Sequence, residues 1–327
     1  MIKKILITGG GGYVGSALAD ELVESGYIVT VIDLFIYGED VFKNKLKINL
    51  IKGDIRDQNL LNKIIPSHDA VIHLACISND PSFELNPELG KSINLDAFEP
   101  LIKISKENGV KRFIYASSSS VYGIKNETDV HENMSLEPLT DYSKFKVNCE
   151  EISLKYNSKN FDVLIIRPAT VCGFSKRQRF DLVVNILTNL ALNKKPITVF
   201  GGEQLRPNIH IKDMIRIYKI GLVKESHQIN GKIFNAGYDN HKVIDLAEIV
   251  KENINSDVEI IKQESNDNRS YHISSKKIKK DLGFENNYSI ADAVIDIKSA
   301  FEKNKYQDSL NNELYFNVKM MKNINLK

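Results

Sequence analysis

Residues 7–18, ITGGGGYVGSAL, decide the fold class, because they join a β-branched run to an amphipathic one. Upstream, KILIT (4–8) is short and apolar, as a buried strand is. Downstream, YVGSALADELVESG (13–26) sets Val14, Leu18, Leu22 and Val23 at helical spacing and stops at Gly26. Between them Gly9, Gly12 and Gly15 form a T-G-x-x-G-x-x-G pattern. Glycines so spaced serve a tight turn, close approach of backbone N–H groups to a pyrophosphate, and helix-on-strand packing without a Cβ. Four consecutive glycines match many templates, so the strand before and the helix after carry the argument.

The second apolar run, IVTVID (28–33), ends on Asp33. A carboxylate about 20 residues past such a loop accepts hydrogen bonds from ribose hydroxyls. It repels a 2′-phosphate, and no Arg or Lys follows within DLFIYG to offset it. The cofactor expected is NAD rather than NADP. The alternative is a glycine turn in a flavodoxin-like domain, with Asp33 a solvated strand end. After the third strand, KGDIRD places Asp54 and Ile55 where they meet an adenine edge. Asp54 reads equally as a helix N-cap.

The alternation continues through INLIKGD (48–54), AVIHLAC (70–76), a helix over roughly 90–108, RFIYASS (112–118), a helix over roughly 141–157 and FDVLIIRP (161–168). Strands apolar on both faces and separated by helices imply a parallel sheet covered on both sides. Right-handed crossovers then give an α/β, Rossmann-type doubly wound sheet. Residues 1–170 read as the NAD-binding domain. Residues 171–327 read as a smaller, mainly substrate-binding region that returns some elements to the sheet. Helical patterns reappear there at 211–224, 243–254 and 289–303, and the last twenty or so residues read as a fraying helix or loosely held tail.

Composition excludes several classes. The 327 residues are 42% hydrophobic and 26% charged with a net charge of +2, which suits a globular protein and no nucleic-acid or membrane surface. Cys76, Cys149 and Cys172 lie far apart without C-x-x-C spacing. That argues against a disulfide framework and a metal site and suits a reducing cytoplasm. No apolar stretch approaches a membrane span or a signal-peptide core.

DYSKFKVNCEE (141–151) holds Tyr142 four residues ahead of Lys146, so the two share one helical face. Upstream, YASSSSVYG places Ser117 to Ser120 at the carboxyl end of a parallel strand, where ligands bind in open α/β sheets. Hydride removal from a sugar carbon requires removal of the hydroxyl proton as well. A phenol with a pKa near ~10 is a poor base at neutrality. A nearby ammonium and a positive nicotinamide bring that pKa down, and a serine hydroxyl orients the substrate oxygen. Y-x-x-x-K alone is more often a surface pair; joined to the glycine loop, Asp33 and the serine strand, it reads as base and tuner.

With these motifs the chain resembles the extended short-chain dehydrogenase/reductase family, in its sugar-nucleotide epimerase/dehydratase branch. The likeness runs through HLAC, SSSSVYG, YSKFK, IIRPATVCG and LRPNIHIKD to NDNRSYHISSKKIKKDLGF. It implies Ser118 as the orienting residue, Tyr142 as base and Lys146 as its partner, with Tyr142 and Lys146 also touching the cofactor. It implies Tyr13, Val14, Leu74, Ala75 and Asn94 as further cofactor positions. Thr170 stands where relatives often carry a diphosphate-binding Asn. Arg206 and Arg269 match arginines that grip the nucleotide diphosphate, and Arg177 and Arg179 are further anion-binding candidates. His73, His210 and Cys172 read as packing or hydrogen-bonded structural residues.

The resemblance also narrows the reaction. Its 4,6-dehydratases carry an Asp-Glu pair after the orienting residue, whereas Ser118 is followed by Ser119 and Ser120. Its 3,5-epimerising reductases carry a Cys where Ser120 stands. Redox chemistry at C4 of a nucleotide-sugar remains, with a UDP-glucose 4-epimerase-like enzyme the leading expectation. A 4-dehydrogenase or 4-ketoreductase, for example on a GDP-heptose in polysaccharide biosynthesis, uses the same residues, and RPATVCGFSKRQRFDLVVN looks like some heptose-nucleotide 4-dehydrogenases. A non-catalytic NAD-binding regulator is the reading of another class. Homodimerisation through the helices flanking the serine strand is common in the family.

Overall fold

Ile5 and Ile7 enter one apolar core and Leu6 another, because successive side chains of a strand leave by opposite faces. All three are fully buried. The computed structural model describes residues 2–264, 270, 272–324 and 326. Among them, seven strands make one parallel sheet: β1 (Lys4–Thr8), β2 (Ile28–Asp33), β3 (Ile48–Lys52), β4 (Ala70–His73), β5 (Arg112–Ala116), β6 (Asp162–Pro168) and the strand Lys232–Ala236. Across the sheet the order is Lys232–Ala236, β6, β5, β4, β1, β2, β3. The chain runs outward from β1 to β3, then crosses back to β4, which creates a switch point between β1 and β4. Ligands of open α/β sheets bind outside the strand ends at such a point.

The helices Tyr13–Glu24 and Ile211–Val223 cover one face through Leu18, Leu22 and Met214. Phe98–Glu107 and Asp141–Tyr156 cover the other through Phe98, Leu101 and Cys149. A separate core of Val184, Leu187, Val199, Leu246, Val250 and Val294 fills the second half. Around it lie two small sheets, one of Thr170–Cys172, Leu205–His210 and Asp239–Lys242, the other of Ile197–Phe200 and Ile260–Gln263.

Two elements differ from the sequence reading. The helix expected over 90–108 is broken into Pro87–Lys91, a wide π turn at Ser92–Asp96, and Phe98–Glu107. The last segment is also no loose tail. A 3-10 turn at Glu313–Tyr315 leads into the helix Asn317–Asn323, with Asn317 and Met320 buried. Its apolar residues dock: the Tyr315 ring lies edge-on to Phe180 at 5.4 Å, and Phe180 N donates to Tyr315 O at 2.8 Å. Among the described residues, no helix is long and apolar enough to cross a membrane.

Candidate active site

The glycine loop is as tight as its spacing implies. Gly9 takes φ +72°, in the left-handed region, and a Cβ there would lie 2.5 Å from the Ala75 backbone. A Cβ on Gly15 would meet the Gly9 carbonyl oxygen at 2.5 Å, so helix and strand approach closely only through glycine. Asp33 closes the loop from the side: its carboxylate accepts from Gly11 N at 2.9 Å and from Phe35 N at 2.7 Å. Burial raises the Asp33 pKa, while those two N–H groups and the Arg177 guanidinium oppose the rise.

A cavity of about 390 Å³ opens at the switch point, within the range of small-molecule and cofactor sites. It gathers Gly9, Gly12, Tyr13, Val14, Gly15, Asp33, Asp54, Ile55, Leu74 and Ala75 with Ser118, Tyr142, Lys146, Thr170 and Arg179. Asp54 caps no helix: it pairs with Arg56 at 2.6 Å, while Asp57 caps the following helix.

The helix Asp141–Tyr156 presents Tyr142 and Lys146 to this cavity. Its N-terminus is fixed by a capping box, Thr140 N to Ser143 Oγ at 3.1 Å and Ser143 N to Thr140 Oγ1 at 3.3 Å. Thr140 Oγ1 also donates to Asp80 Oδ1 at 2.6 Å, which ties the cap to the cavity wall. Ser118 lies at the end of β5, and its hydroxyl is 2.8 Å from that of Ser120. Lys146 Nζ donates to Ala116 O at 2.7 Å and lies 5.6 Å from the centre of the Tyr142 ring.

The surroundings that the protein itself gives the phenol oppose its ionisation. Burial dominates and holds the Tyr142 pKa well above the ordinary value, with Cys76 and Asp80 adding to the rise. Arg179 and the Ser118 hydroxyl pull the other way. The ammonium is turned toward a backbone carbonyl below the ring.

Two expected positions lie off the cavity wall. Asn94 does not line the cavity; it is spent on Ile77, taking its N–H at 2.8 Å and donating to its carbonyl at 3.0 Å. Arg206 also lies off the cavity wall, because it sits on the strand Leu205–His210 opposite His241 and bonds Leu205 O at 3.0 Å. Arg269 falls outside the described residues. His73 is buried on β4, shares a 2.7 Å hydrogen bond with Thr8 Oγ1 and stacks on Tyr115. Burial lowers its pKa to about 3, so the ring is neutral and structural. His210 caps the helix Ile211–Val223 and stacks on Tyr288. Cys172 is fully buried, off the cavity wall. Among the described residues, no group of three His, Cys, Asp or Glu side chains could hold a metal ion.

Tyr37, Cys76, Ser78 and Asn317 also line the cavity, and the sequence reading did not single them out. Tyr37 lies just beyond Asp33, in DLFIYG, but no motif marks Asn317.

The sequence model of the NAD-dependent epimerase/dehydratase family matches residues 5–237. The chain belongs to this family. The uncharacterised UDP-glucose epimerase YtcB of Bacillus subtilis (strain 168) is 31% identical over 265 residues, covering 76% of this chain and 81% of that protein. The UDP-N-acetyl-alpha-D-glucosaminuronate decarboxylase of Bacillus cytotoxicus is 30% identical over 254 residues, or 75% and 78% of the two chains. Among solved structures, the UDP-glucuronic acid 4-epimerase of Bacillus cereus, in complex with UDP-glucuronic acid and NAD, matches with a TM-score of 0.81 at 26% identity, covering 92% of this chain and 99% of that one. This epimerase/dehydratase-family member is an NAD-dependent enzyme. Its residues fit that cofactor: the glycine cradle leaves no room for a Cβ at Gly9 or Gly15, Asp33 flanks it, and two buried arginines carry nitrogens without a partner among the described residues.

Proposed function

We propose that this enzyme is a sugar-nucleotide 4-epimerase, oxidising and re-reducing C4 of a nucleotide-sugar. The observation that carries the reading is the convergence of Ser118, Tyr142 and Lys146 on the cavity that also holds the glycine cradle and Asp33, with no carboxylate directly after Ser118. The UDP-glucuronic acid 4-epimerase structure supports the same carbon, and the relative named as a UDP-glucose epimerase supports the same class of reaction. Bound NAD supplies a two-electron acceptor that returns those electrons at the end of the cycle. Tyr142 takes the C4 hydroxyl proton, Ser118 orients that oxygen, and Lys146 holds the floor of the site through Ala116. Thr170 and Arg179 serve the substrate, and residues 171–327 form mainly its side of the cavity. We further propose a cytoplasmic homodimer built on the helices beside β5; the half-exposed Leu154 on one of them supports the contact.

The test is a panel of UDP-, GDP-, CDP- and dTDP-sugars followed by mass and NMR. An isomeric product with no accumulation of NADH is the expected result. Stoichiometric NADH with a keto sugar would replace the epimerase by a 4-dehydrogenase. No turnover of any sugar by a protein that still binds NAD would favour a non-catalytic regulator.

Asp33→Asn supplies a separate check on the cofactor. It removes a charged acceptor beside the ribose-binding face, and hydrogen bonds to charged groups contribute about 1.5–3 kcal/mol. NAD affinity is expected to fall roughly tenfold to a hundredfold, with discrimination against NADP reduced. Isothermal titration with both dinucleotides measures it, and unchanged affinities would remove Asp33 from the site.

A further inference from the structure

Arg177 and Arg179 are both buried, at 3% and 9% exposure, and both line the cavity. Arg179 donates from Nε to Asp181 Oδ1 at 2.7 Å and from Nη1 to Ser78 Oγ at 3.2 Å; its Nη2 has no hydrogen-bond partner among the described residues. Arg177 lies 3.5 Å over the Tyr37 ring, and its Nε is likewise without a partner. Burial and the neighbouring Arg179 charge hold the Arg177 pKa down to about 10. Buried charged donors left unpaired are costly, so the pair suits an anion. Arg177 acts electrostatically on Asp33 and Tyr37, and Arg179 on Tyr142. Arg177, stacked on Tyr37, thus lies on the ribose side of the cavity, and Arg179 faces the Tyr142 side, where the substrate is proposed to bind.

One residue ties this arginine pair to the last described segment. Asn317 Oδ1 accepts from Arg177 Nη2 at 2.6 Å and from Tyr37 OH at 3.0 Å. Its Nδ2 donates to Ser78 Oγ at 2.9 Å, and its backbone N–H to Asp181 Oδ2 at 3.0 Å. Asn317 is 5% exposed, and Met321, one turn on, lines the cavity and packs in the cluster that includes Tyr142 and Phe145.

We propose that residues 313–323 are a latch over the dinucleotide, bolted by Asn317 to Arg177, Tyr37 and Ser78, and that NAD leaves only when this hub opens. The proposal deepens the epimerase reading and rests on it for its purpose. An epimerase returns the electrons it takes and needs no cofactor exchange between turnovers, whereas a net dehydrogenase must release its reduced cofactor each cycle. A cofactor held behind a multiply bonded latch suits the first.

The experiment measures release, not turnover. Protein loaded with NAD is desalted and diluted, and free NAD is followed by an enzymatic cycling assay. Asn317→Ala is expected to release NAD at least fivefold faster than wild type; a smaller increase overturns the latch. Wild-type protein supplies a second readout that needs no variant to fold. Backbone amides of residues 313–323 are expected to exchange with deuterium more slowly when NAD is added, and unchanged exchange overturns the proposal. Protection by UDP alone and not by NAD also overturns it, because the occupant is then the substrate's diphosphate. The nucleotide-sugar panel leaves these measurements untouched, so the latch and the reaction fail separately.

Discussion

Replacing Tyr142 by phenylalanine is expected to lower turnover roughly a thousandfold while NAD stays bound, since a positioned acid/base group contributes about 10²–10⁴-fold. The ring remains to pack against the apolar cluster that includes Ile77 and Phe83, so folding is preserved and only the proton acceptor is lost. The pH dependence carries an independent signature. The active form of the base is the ionised phenol, and burial, reinforced by Cys76 and Asp80, keeps it protonated at neutrality. Wild-type kcat should therefore climb with pH, and a positive charge placed beside the hydroxyl moves the climb toward lower pH. The Tyr142→Phe residual rate should be flat over the same span. Steady-state kinetics between about pH 6 and 9 tests both statements. A variant within tenfold of wild type, or a wild-type rate that falls as pH rises, would remove Tyr142 as the base.

The largest stability effect is expected one helical turn beyond Lys146. Glu150 and Arg167 form an ion pair at 2.6 Å, each side chain about 3% exposed. Arg167 Nη1 donates to Tyr122 OH at 2.7 Å, and Tyr122 OH donates to Asn235 Oδ1 at 2.7 Å. The other arm of Glu150 accepts from the Ser117 hydroxyl, next to Ser118. Removing one partner of a buried pair costs about 3–5 kcal/mol, because the remaining charge has no solvent. A domain has only about 5–15 kcal/mol in total. Glu150→Ala should thus leave a protein that unfolds many degrees lower or accumulates poorly. Replacing both residues by apolar side chains of similar volume should recover much of that stability, since such exchanges are often neutral. Turnover should stay low in the double variant, because Ser117 has lost its acceptor and the Ser118 loop its support. Thermal melts beside kinetics separate the effects; a single variant as stable as wild type would show that solvent reaches Arg167.

The features legible in the sequence are those built from neighbours. The glycine loop announces itself because strand, turn and helix are consecutive, and Asp33 follows at a spacing fixed by one helix and one strand. Tyr142 and Lys146 share a face through helical periodicity alone. Asn94 lies off the cavity wall for a local reason: the chain opens into a π turn there, and the amide bonds the Ile77 backbone. The Arg177–Asn317 bond joins residues 140 positions apart, and no periodicity encodes such a pairing. Asn317 sits in a short segment, ELYFNVKMMKN (313–323), whose apolar residues Leu314, Tyr315, Phe316, Val318, Met320 and Met321 give no long helical stripe. Its docking depends on the Phe180 ring, the Arg177 guanidinium and the Asp181 carboxylate supplied by another loop. The direction of the Lys146 ammonium was equally hidden, because the Ala116 carbonyl that holds it lies on the neighbouring strand.

The neutral imidazole at the switch point limits the acid tolerance of the whole sheet. Thr8 and His73 face each other across β1 and β4 and are joined by their side chains. An unfolded chain takes up a proton on this ring near pH ~6.5, whereas the folded ring resists until about 3. Between those values the unfolded state holds more protons, so stability is intact above the upper one and drains away with acidification by up to roughly 1.4 kcal/mol per pH unit. Souring the solution works as a solvent-driven wedge between two central strands, and unfolding midpoints sink before any surface carboxylate is neutralised.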